Sequence, residues 1–178
     1  HTGRNPLTTG GLFGPSTFSY QGEHYTITAL NGLPKPVQDG GPKLPVDGGG
    51  KRVLAIAGRE ADIVSINPNL ASGAIGVDTP RDSMADRIDE KLAWVRAAAG
   101  DRFDDVEIST TLFFAQVTDD GATVTENVAN LFGVTPGEVA QSPIVAIGTV
   151  DEIVDTLLAR RERWGYSYVI VNAESFDA

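Results

Sequence analysis

The chain has 178 residues, of which 41% are hydrophobic, and this composition suits one globular domain and excludes an intrinsically disordered chain. The formal net charge is -10, so the surface repels nucleic acid and anionic lipid. Cysteine is absent and the two histidines are His1 and His24, so we expect neither disulfides nor a metal site. The sequence has no apolar run of membrane-spanning length and no signal-peptide pattern, and we expect a soluble, cytoplasmic protein.

Residues 1–43 are predicted to form a loop, a hairpin and a crossing segment. Residues 1–16 are rich in Gly, Thr and Pro, which is typical of a loop. Aromatic and β-branched residues on both sides of Gln21-Gly22 predict a β-hairpin over residues 18–28. The Pro- and Gly-rich segment 31–50 predicts an irregular crossing that includes one short strand near Leu44–Val46.

Strand and helix patterns alternate from residue 44 to residue 178. Helices are predicted over Lys51–Glu60, from the N-cap Thr79 to Gly100, near Val124–Phe132, and after capping boxes at Thr135 and Thr149. Strands are predicted over residues 62–66, 106–117 and 166–171. The second helix is expected to bury Met84, Ile88, Leu92 and Val95, and the last one Ile153, Val154, Leu157, Leu158 and Trp164. Such alternation predicts parallel strands, either in an open doubly wound sheet or in half of a barrel.

A glycine turn between the first of these strands and its helix is the first candidate site. Gly48, Gly49 and Gly50 permit close approach of an anion to backbone N–H groups, the following helix N-terminus adds positive potential, and Lys51 or Arg52 adds charge. The pattern matches neither the P-loop nor the dinucleotide fingerprint. A plain tight turn is the alternative interpretation.

Polar residues that directly follow strands are the second candidate. They are Asn67, Asn69, Asn172 and Glu174, and ligands of parallel α/β folds bind at the carboxyl ends of strands. Since Asn also favours turns, a purely structural role is the alternative. His24 has no recognisable orienting carboxylate or nucleophile beside it, so a half-exposed strand histidine is favoured over a catalytic one.

Five stretches together resemble one protein family: FSYQGEHYTIT, LNGLPKPVQ, GGGKRVLAIAGREADIVSINP, DEKLAWVRAAAGDRFDDVEIS and LLARRERWGYSYVIV. Their order and spacing resemble the luciferase-like monooxygenase superfamily, specifically its oxidoreductases that depend on the deazaflavin coenzyme F-420. The resemblance implies an α/β fold, namely a TIM-like (β/α)8 barrel. This chain would carry strands five to eight of that barrel, preceded by a β-hairpin, and its last helix would be truncated. The resulting domain boundaries are 1–43 for the loop, hairpin and crossing segment and 44–178 for the half-barrel.

The resemblance also implies a function. The chain would be a fragment of a flavin- or deazaflavin-dependent oxidoreductase that acts on a small organic substrate by hydride transfer or monooxygenation, and would be inactive alone. F-420 or FMN would contact Gly48, Gly49, Gly50, Lys51 and Asn67, with weak or no binding by this chain, while the resemblance identifies no catalytic residue. Pro45 and Asp47 depart from the family pattern before the glycines, and Asp47 places negative charge near the expected phosphate.

Two alternatives to an enzyme fragment follow from the residues. The chain could be a non-catalytic half-barrel that serves folding or assembly, because exposed strand edges and an apolar face favour association, with a homodimer as the simplest form. A doubly wound domain that binds a small anion is the other. We expect a small-molecule substrate, and no nucleic acid or membrane, as partners.

Overall fold

A computed structural model describes residues 9–24, 26–39, 41–70 and 79–171. The chain divides into two compact units, His1–Leu44 and Pro45–Ala178.

The first unit contains a short helix and the predicted hairpin. Helix α1 spans Thr9–Phe13, and strands β1 (Phe18–Gln21) and β2 (Thr26–Leu30) pair antiparallel, which confirms the hairpin. The prediction of a loop over residues 1–16 was wrong for α1. Gly11 packs so closely on the ring of Phe18 that a Cβ would come within 2.3 Å of it, and such tertiary contact overrides the weak local helix propensity.

The second unit alternates strands and helices. Its strands are β3 (Pro45–Gly48), β4 (Ile63–Ile66), β5 (Glu107–Leu112), β6 (Phe114–Val117), β7 (Val145–Gly148) and β8 (Tyr166–Val171). Its helices are α2 (Lys51–Glu60), α3 (Ala85–Ala99), α4 (Gly121–Phe132), α5 (Pro136–Gln141) and α6 (Val150–Trp164). None of the helices within the described residues is long and apolar enough to cross a membrane.

The main sheet has the order β3-β4-β5-β8, and all of its neighbouring strands pair in parallel. This confirms the predicted parallel α/β arrangement. One face of the sheet packs against α2 and α3 around fully buried Leu54, Val64, Ile66 and Val95. The carboxyl ends of all four strands lie at one edge of the sheet, and the connections after them are the natural place for a ligand.

The predicted long strand 106–117 is two strands that belong to different sheets. The N–H groups of Phe113 and Phe114 both donate to the carbonyl of Ile144, at 2.9 and 3.3 Å. The chain therefore leaves β8 after Leu112, and β6 pairs in parallel with β7, which sequence reasoning missed. Because the apolar run is continuous through residues 112–114, the change of partner leaves no local signal.

The helix predicted to begin at Thr79 starts later. Thr79 and Pro80 lead into a 3-10 turn at Arg81–Ser83, and α3 begins only after Met84. The hydroxyl of Ser83 donates to the carbonyl of Thr79 at 2.9 Å, which stabilises this separate turn. Gly100 ends α3 with a positive φ of 56°, as predicted. Met84 is only half-buried, whereas Ile88, Leu92 and Val95 are buried.

Both predicted capping boxes are present, at Thr135 with Glu138 and at Thr149 with Glu152. The predicted buried face of α6 was partly wrong, because Val154 is 47% and Leu158 57% exposed. Trp164 is buried as predicted, and the helix also turns Arg160 inward, so the apolar stripe that begins at Val150 faces outward.

Candidate cofactor-binding site

The glycine turn joins the end of β3 to the start of α2. Gly48 is the last residue of β3, Gly50 is the residue before α2, and the carbonyl of Gly48 accepts the N–H of Asn67 at 2.9 Å. Asn67 directly follows β4, the neighbouring strand. The structure thus places the three glycines beside Asn67 at the carboxyl edge of the sheet.

Two adjacent glycines of the turn, Gly49 and Gly50, differ in their steric surroundings. A Cβ on Gly49 would lie 2.4 Å from the carbonyl carbon and oxygen of Pro68, so the two backbones approach too closely for any side chain. A Cβ on Gly50 would be 3.7 Å from the nearest atom of Asn69, which is ordinary contact. Gly49 is therefore required by packing within the chain, and Gly50 is not.

The first turn of α2 carries positive charge at the positive end of the helix. Gly50 provides no side-chain cap, the first turn has no acidic residue, and it begins with Lys51 and Arg52. Cations at this end are unfavourable by about 0.3–1 kcal/mol each, and a bound anion would reverse that effect. Lys51 extends away along the helix, with its Nζ 6.0 Å from the ring centroid of Trp94 on α3.

The face of the sheet opposite α2 and α3 carries one polar row across β3, β4 and β5. In register, Asp47 of β3 lies beside Ser65 of β4, and Ser65 lies beside Ser109 of β5. Neighbours in register point to the same side of a sheet. Asp47 therefore belongs to this row and lies two residues before Gly49, not in the glycine turn itself.

Asn67 lies two residues beyond Ser65, so its side chain points to the same side of the sheet. Its Nδ2 donates to Ser65 Oγ at 3.4 Å. Its Oδ1 is buried and, within the described part of the chain, accepts no hydrogen bond; the buried Oγ of Ser109 is likewise unpartnered there. A buried acceptor without a partner costs about 1–3 kcal/mol. These two atoms are suited to a donor group that enters from outside the described residues.

Lys91 anchors the loop that carries Asn67. Its side chain is fully buried, and its Nζ donates to the carbonyl of Asn67 at 3.0 Å, the carbonyl of Asp82 at 2.8 Å and Oδ2 of Asp82 at 2.6 Å. Three acceptors use all three donors of an ammonium group. Lys91 therefore holds the end of β4 against the Arg81–Ser83 turn.

Asp82 completes this anchor. Its Oδ2 also accepts the N–H of Asn69 at 2.6 Å, and its Oδ1 accepts Arg87 Nε at 3.3 Å. Burial by itself would raise the pKa of Asp82, but the hydrogen bonds from Lys91 and Asn69 hold it below its ordinary value. The ionised carboxylate is thus the form that fixes Asn67 and Asn69 beside the glycine turn.

The structure does not test every polar candidate. Asn172, Glu174 and residues 71–78 lie outside the described residues. His24 is exposed between β1 and β2, in the other unit, and is not part of a strand. Sequence reasoning missed Lys91 and Asp82, although Lys91 lies between Ile88 and Val95 on the apolar stripe of α3, which is an unusual position for a lysine.

Comparison with known proteins identifies the fold. No family model and no curated protein matches the sequence. Among solved structures, coenzyme F420-dependent tetrahydromethanopterin reductase from Methanopyrus kandleri superposes with a TM-score of 0.62 at 15% identity, covering 92% of this chain and 55% of that one. Monooxygenase RslO1 from Streptomyces bottropensis gives 0.60 at 18% identity, with 93% and 51% covered.

An F420-dependent secondary alcohol dehydrogenase, solved with an F420-acetone adduct, gives a TM-score of 0.58 at 14% identity, with 90% of this chain and 51% of that one covered. The chain therefore spans about half the length of these three solved structures. Identities this low establish the fold alone. Together with the parallel β3-β4-β5-β8 sheet, they show that the chain shares part of the fold of these two F420-dependent enzymes and of this monooxygenase.

Proposed function

We propose that this chain supplies the phosphate-binding part of a flavin- or deazaflavin-dependent oxidoreductase that acts on a small organic substrate. The single observation that carries the proposal is the start of α2, where Lys51 and Arg52 follow an uncapped glycine turn. The fold neighbours, which include F420-dependent enzymes and a monooxygenase, support the same class of cofactor.

The residues present fit such a cofactor. The N–H groups of the first turn of α2 form an anion-binding end, and Arg52 is exposed beside them. The buried, unpartnered Oδ1 of Asn67 supplies an acceptor at the same edge of the sheet. When bound, a flavin or deazaflavin supplies the redox chemistry, and the protein supplies binding and orientation.

Asn67 is held in place by three other groups of the chain. Its backbone N–H is fixed by Gly48, its carbonyl by Lys91, and its side-chain amide by Ser65. We infer that this threefold attachment orients Oδ1 and limits its movement. Orientation by fixed neighbours is how a protein lowers the entropy loss of binding.

The affinity of the isolated chain is expected to be low. The chain spans about half of each matching structure, so a ring held by both halves of a barrel would lose about half of its contacts. If complete binding is about 8 kcal/mol, half of it leaves about 4 kcal/mol, which is a millimolar dissociation constant. We propose that the chain alone is inactive and that a polypeptide with the remaining barrel strands binds in the micromolar range.

Cofactor titration tests the proposal. F-420 and FMN are added separately to the chain, and ring fluorescence is followed to millimolar concentration. We expect millimolar dissociation constants that Arg52→Glu weakens at least about tenfold through repulsion of the phosphate, with Arg59→Glu, at the far end of α2, as the matched control. Micromolar binding by the chain alone would refute the low-affinity argument, and equal binding by wild type and Arg52→Glu would remove the α2 N-terminus from the site.

A second candidate function is assembly without a cofactor. It is favoured by the exposed apolar stripe of α6, where Val150, Val154 and Leu158 are 59%, 47% and 57% exposed. Such a surface promotes association, and a two-fold homodimer is the simplest product. Sedimentation equilibrium, together with the cofactor titration, distinguishes the two candidate functions. The assembly function requires a dimer that Leu158→Glu dissociates, and it requires that F-420 and FMN give no saturable response.

A further inference from the structure

A cavity lies beside the small apolar core that Val128, Ala129 and Val139 form. Its volume is about 270 Å³, and its walls come from α4, α5, the beginnings of β6 and β7, and the Thr79–Met84 segment. Native interiors contain few voids larger than a water molecule. An opening of this size is therefore more than a local packing defect.

The lining selects an uncharged, apolar occupant. Among the described residues none with a charged side chain lines the cavity, and three phenylalanines, Phe113, Phe114 and Phe132, contribute rings. Val128, Val139 and Ile144 form a buried apolar wall. An ionised ligand would lose its hydration here without gaining a partner of opposite charge.

The small volume and the apolar lining favour a small molecule over a protein segment. Of the residues that line the cavity, Phe113, 36% exposed, and Leu131, 77% exposed, are the most open to solvent, and both contribute apolar surface. We propose that this cavity binds a neutral, largely aromatic or hydrocarbon molecule.

The volume sets the size of that molecule. A cavity of about 150 Å³ accommodates benzene, which has six non-hydrogen atoms. Scaling by volume gives a ligand of about ten or eleven non-hydrogen atoms, which corresponds to a bicyclic aromatic. The site does not depend on the cofactor proposal, because none of its walls includes the glycine turn or Asn67.

Naphthalene is the direct probe, with 2-naphthoate as its charged analogue. Naphthalene fluorescence is titrated with the chain, and we expect saturable binding at least about tenfold tighter than that of 2-naphthoate. Val134→Phe, which fills the cavity from the loop between α4 and α5, should abolish binding, whereas Leu158→Phe, on the exposed stripe of α6, should leave it unchanged.

A second variant, at the exposed residue Leu131 of the cavity lining, keeps the proposal testable if Val134→Phe does not fold. Leu131→Asp places a charge on an exposed residue, so the chain should keep its circular dichroism spectrum and bind naphthalene several-fold more weakly. Absence of saturable binding, or equal binding by wild type and Val134→Phe, would overturn the proposal. The proposal would also be overturned if the wild-type chain bound no naphthalene and Leu131→Asp changed the sedimentation coefficient. Leu131 would then belong to an interface between copies of the chain.

Discussion

The buried ammonium of Lys91 lies 2.6 Å from Oδ2 of Asp82, and the same ammonium donates to the carbonyl of Asn67. This one lysine links α3, the Arg81–Ser83 turn and the end of β4. It thereby fixes the loop that faces the glycine turn, and it makes the stability of the chain and the geometry of the candidate site depend on the same group.

Replacing Lys91 by Met should destabilise the chain by about 3–5 kcal/mol, because Asp82 would keep a partly buried charge and lose its buried cationic partner. Arg87→Ala is the matched control: Arg87 also pairs with Asp82, but its side chain is 40% exposed, and its loss should cost less than about 1 kcal/mol. Urea unfolding of both variants measures the difference. Equal losses of unfolding free energy in the two variants would show that burial of Lys91 does not increase its contribution to stability.

Stability should fall in acid partly through Asp82. Its pKa in the folded chain lies below the ordinary value of 3.8, so its contribution is complete above that value and is lost as the pH falls through the lower, folded pKa. The free energy of unfolding of Asp82→Asn should therefore lie furthest below that of wild type near pH 7. The gap should narrow below about pH 4, and a gap that stays constant to pH 3 would contradict this role.

The glycine turn offers an internal comparison of two adjacent residues. Gly49→Ala should destabilise the chain by about 1–3 kcal/mol, because the new Cβ meets the Pro68 backbone at 2.4 Å and neither side can move aside cheaply. Gly50→Ala should cost less than about 1 kcal/mol, since the nearest atoms are 3.7 Å away. Thermal unfolding monitored by circular dichroism measures both, and the reverse order would show that the turn has a different conformation.

Arg160 should be the most important cation of α6. Its buried guanidinium donates to the carbonyls of Ser142, Pro143 and Val145 at 2.8–3.2 Å, and burial lowers its pKa to about 10. Arg160→Met leaves these carbonyls without that donor, and we expect a loss of about 3 kcal/mol. Arg161→Met, on the exposed side of the same helix, should change the free energy of unfolding by less than about 0.5 kcal/mol.

Local chemistry made most of the fold predictable. The α2 range, the capping boxes at Thr135 and Thr149, and the end of α3 at Gly100 follow from neighbouring residues alone, and the structure has all of them. The change of strand partner at Phe113 was not predictable, because it depends on a hydrogen bond to Ile144, thirty-one residues away, and apolar residues surround it on both sides.

The candidate site was predictable in part for the same reason. Gly48, Gly49, Gly50 and Asn67 follow strands directly, so topology alone brings them together. The direction of Lys51 depends on Trp94 of another helix, and the anchoring of Asn67 depends on Lys91, twenty-four residues along the chain. Contacts of this kind are set by packing between elements, which a single sequence reports only weakly.

The central claim is that the start of α2 receives the phosphate end of a flavin or deazaflavin, and that Oδ1 of Asn67 accepts a hydrogen bond from the same cofactor. The most direct measurement is a two-dimensional ¹H–¹⁵N NMR titration of the chain with FMN, and with F-420 in parallel, to millimolar concentration. We predict saturable shifts concentrated in the backbone amides of residues 49–53 and the side-chain amide of Asn67, which Arg52→Glu removes. Saturable shifts confined to other parts of the chain, or no shifts at millimolar cofactor, would contradict the assignment.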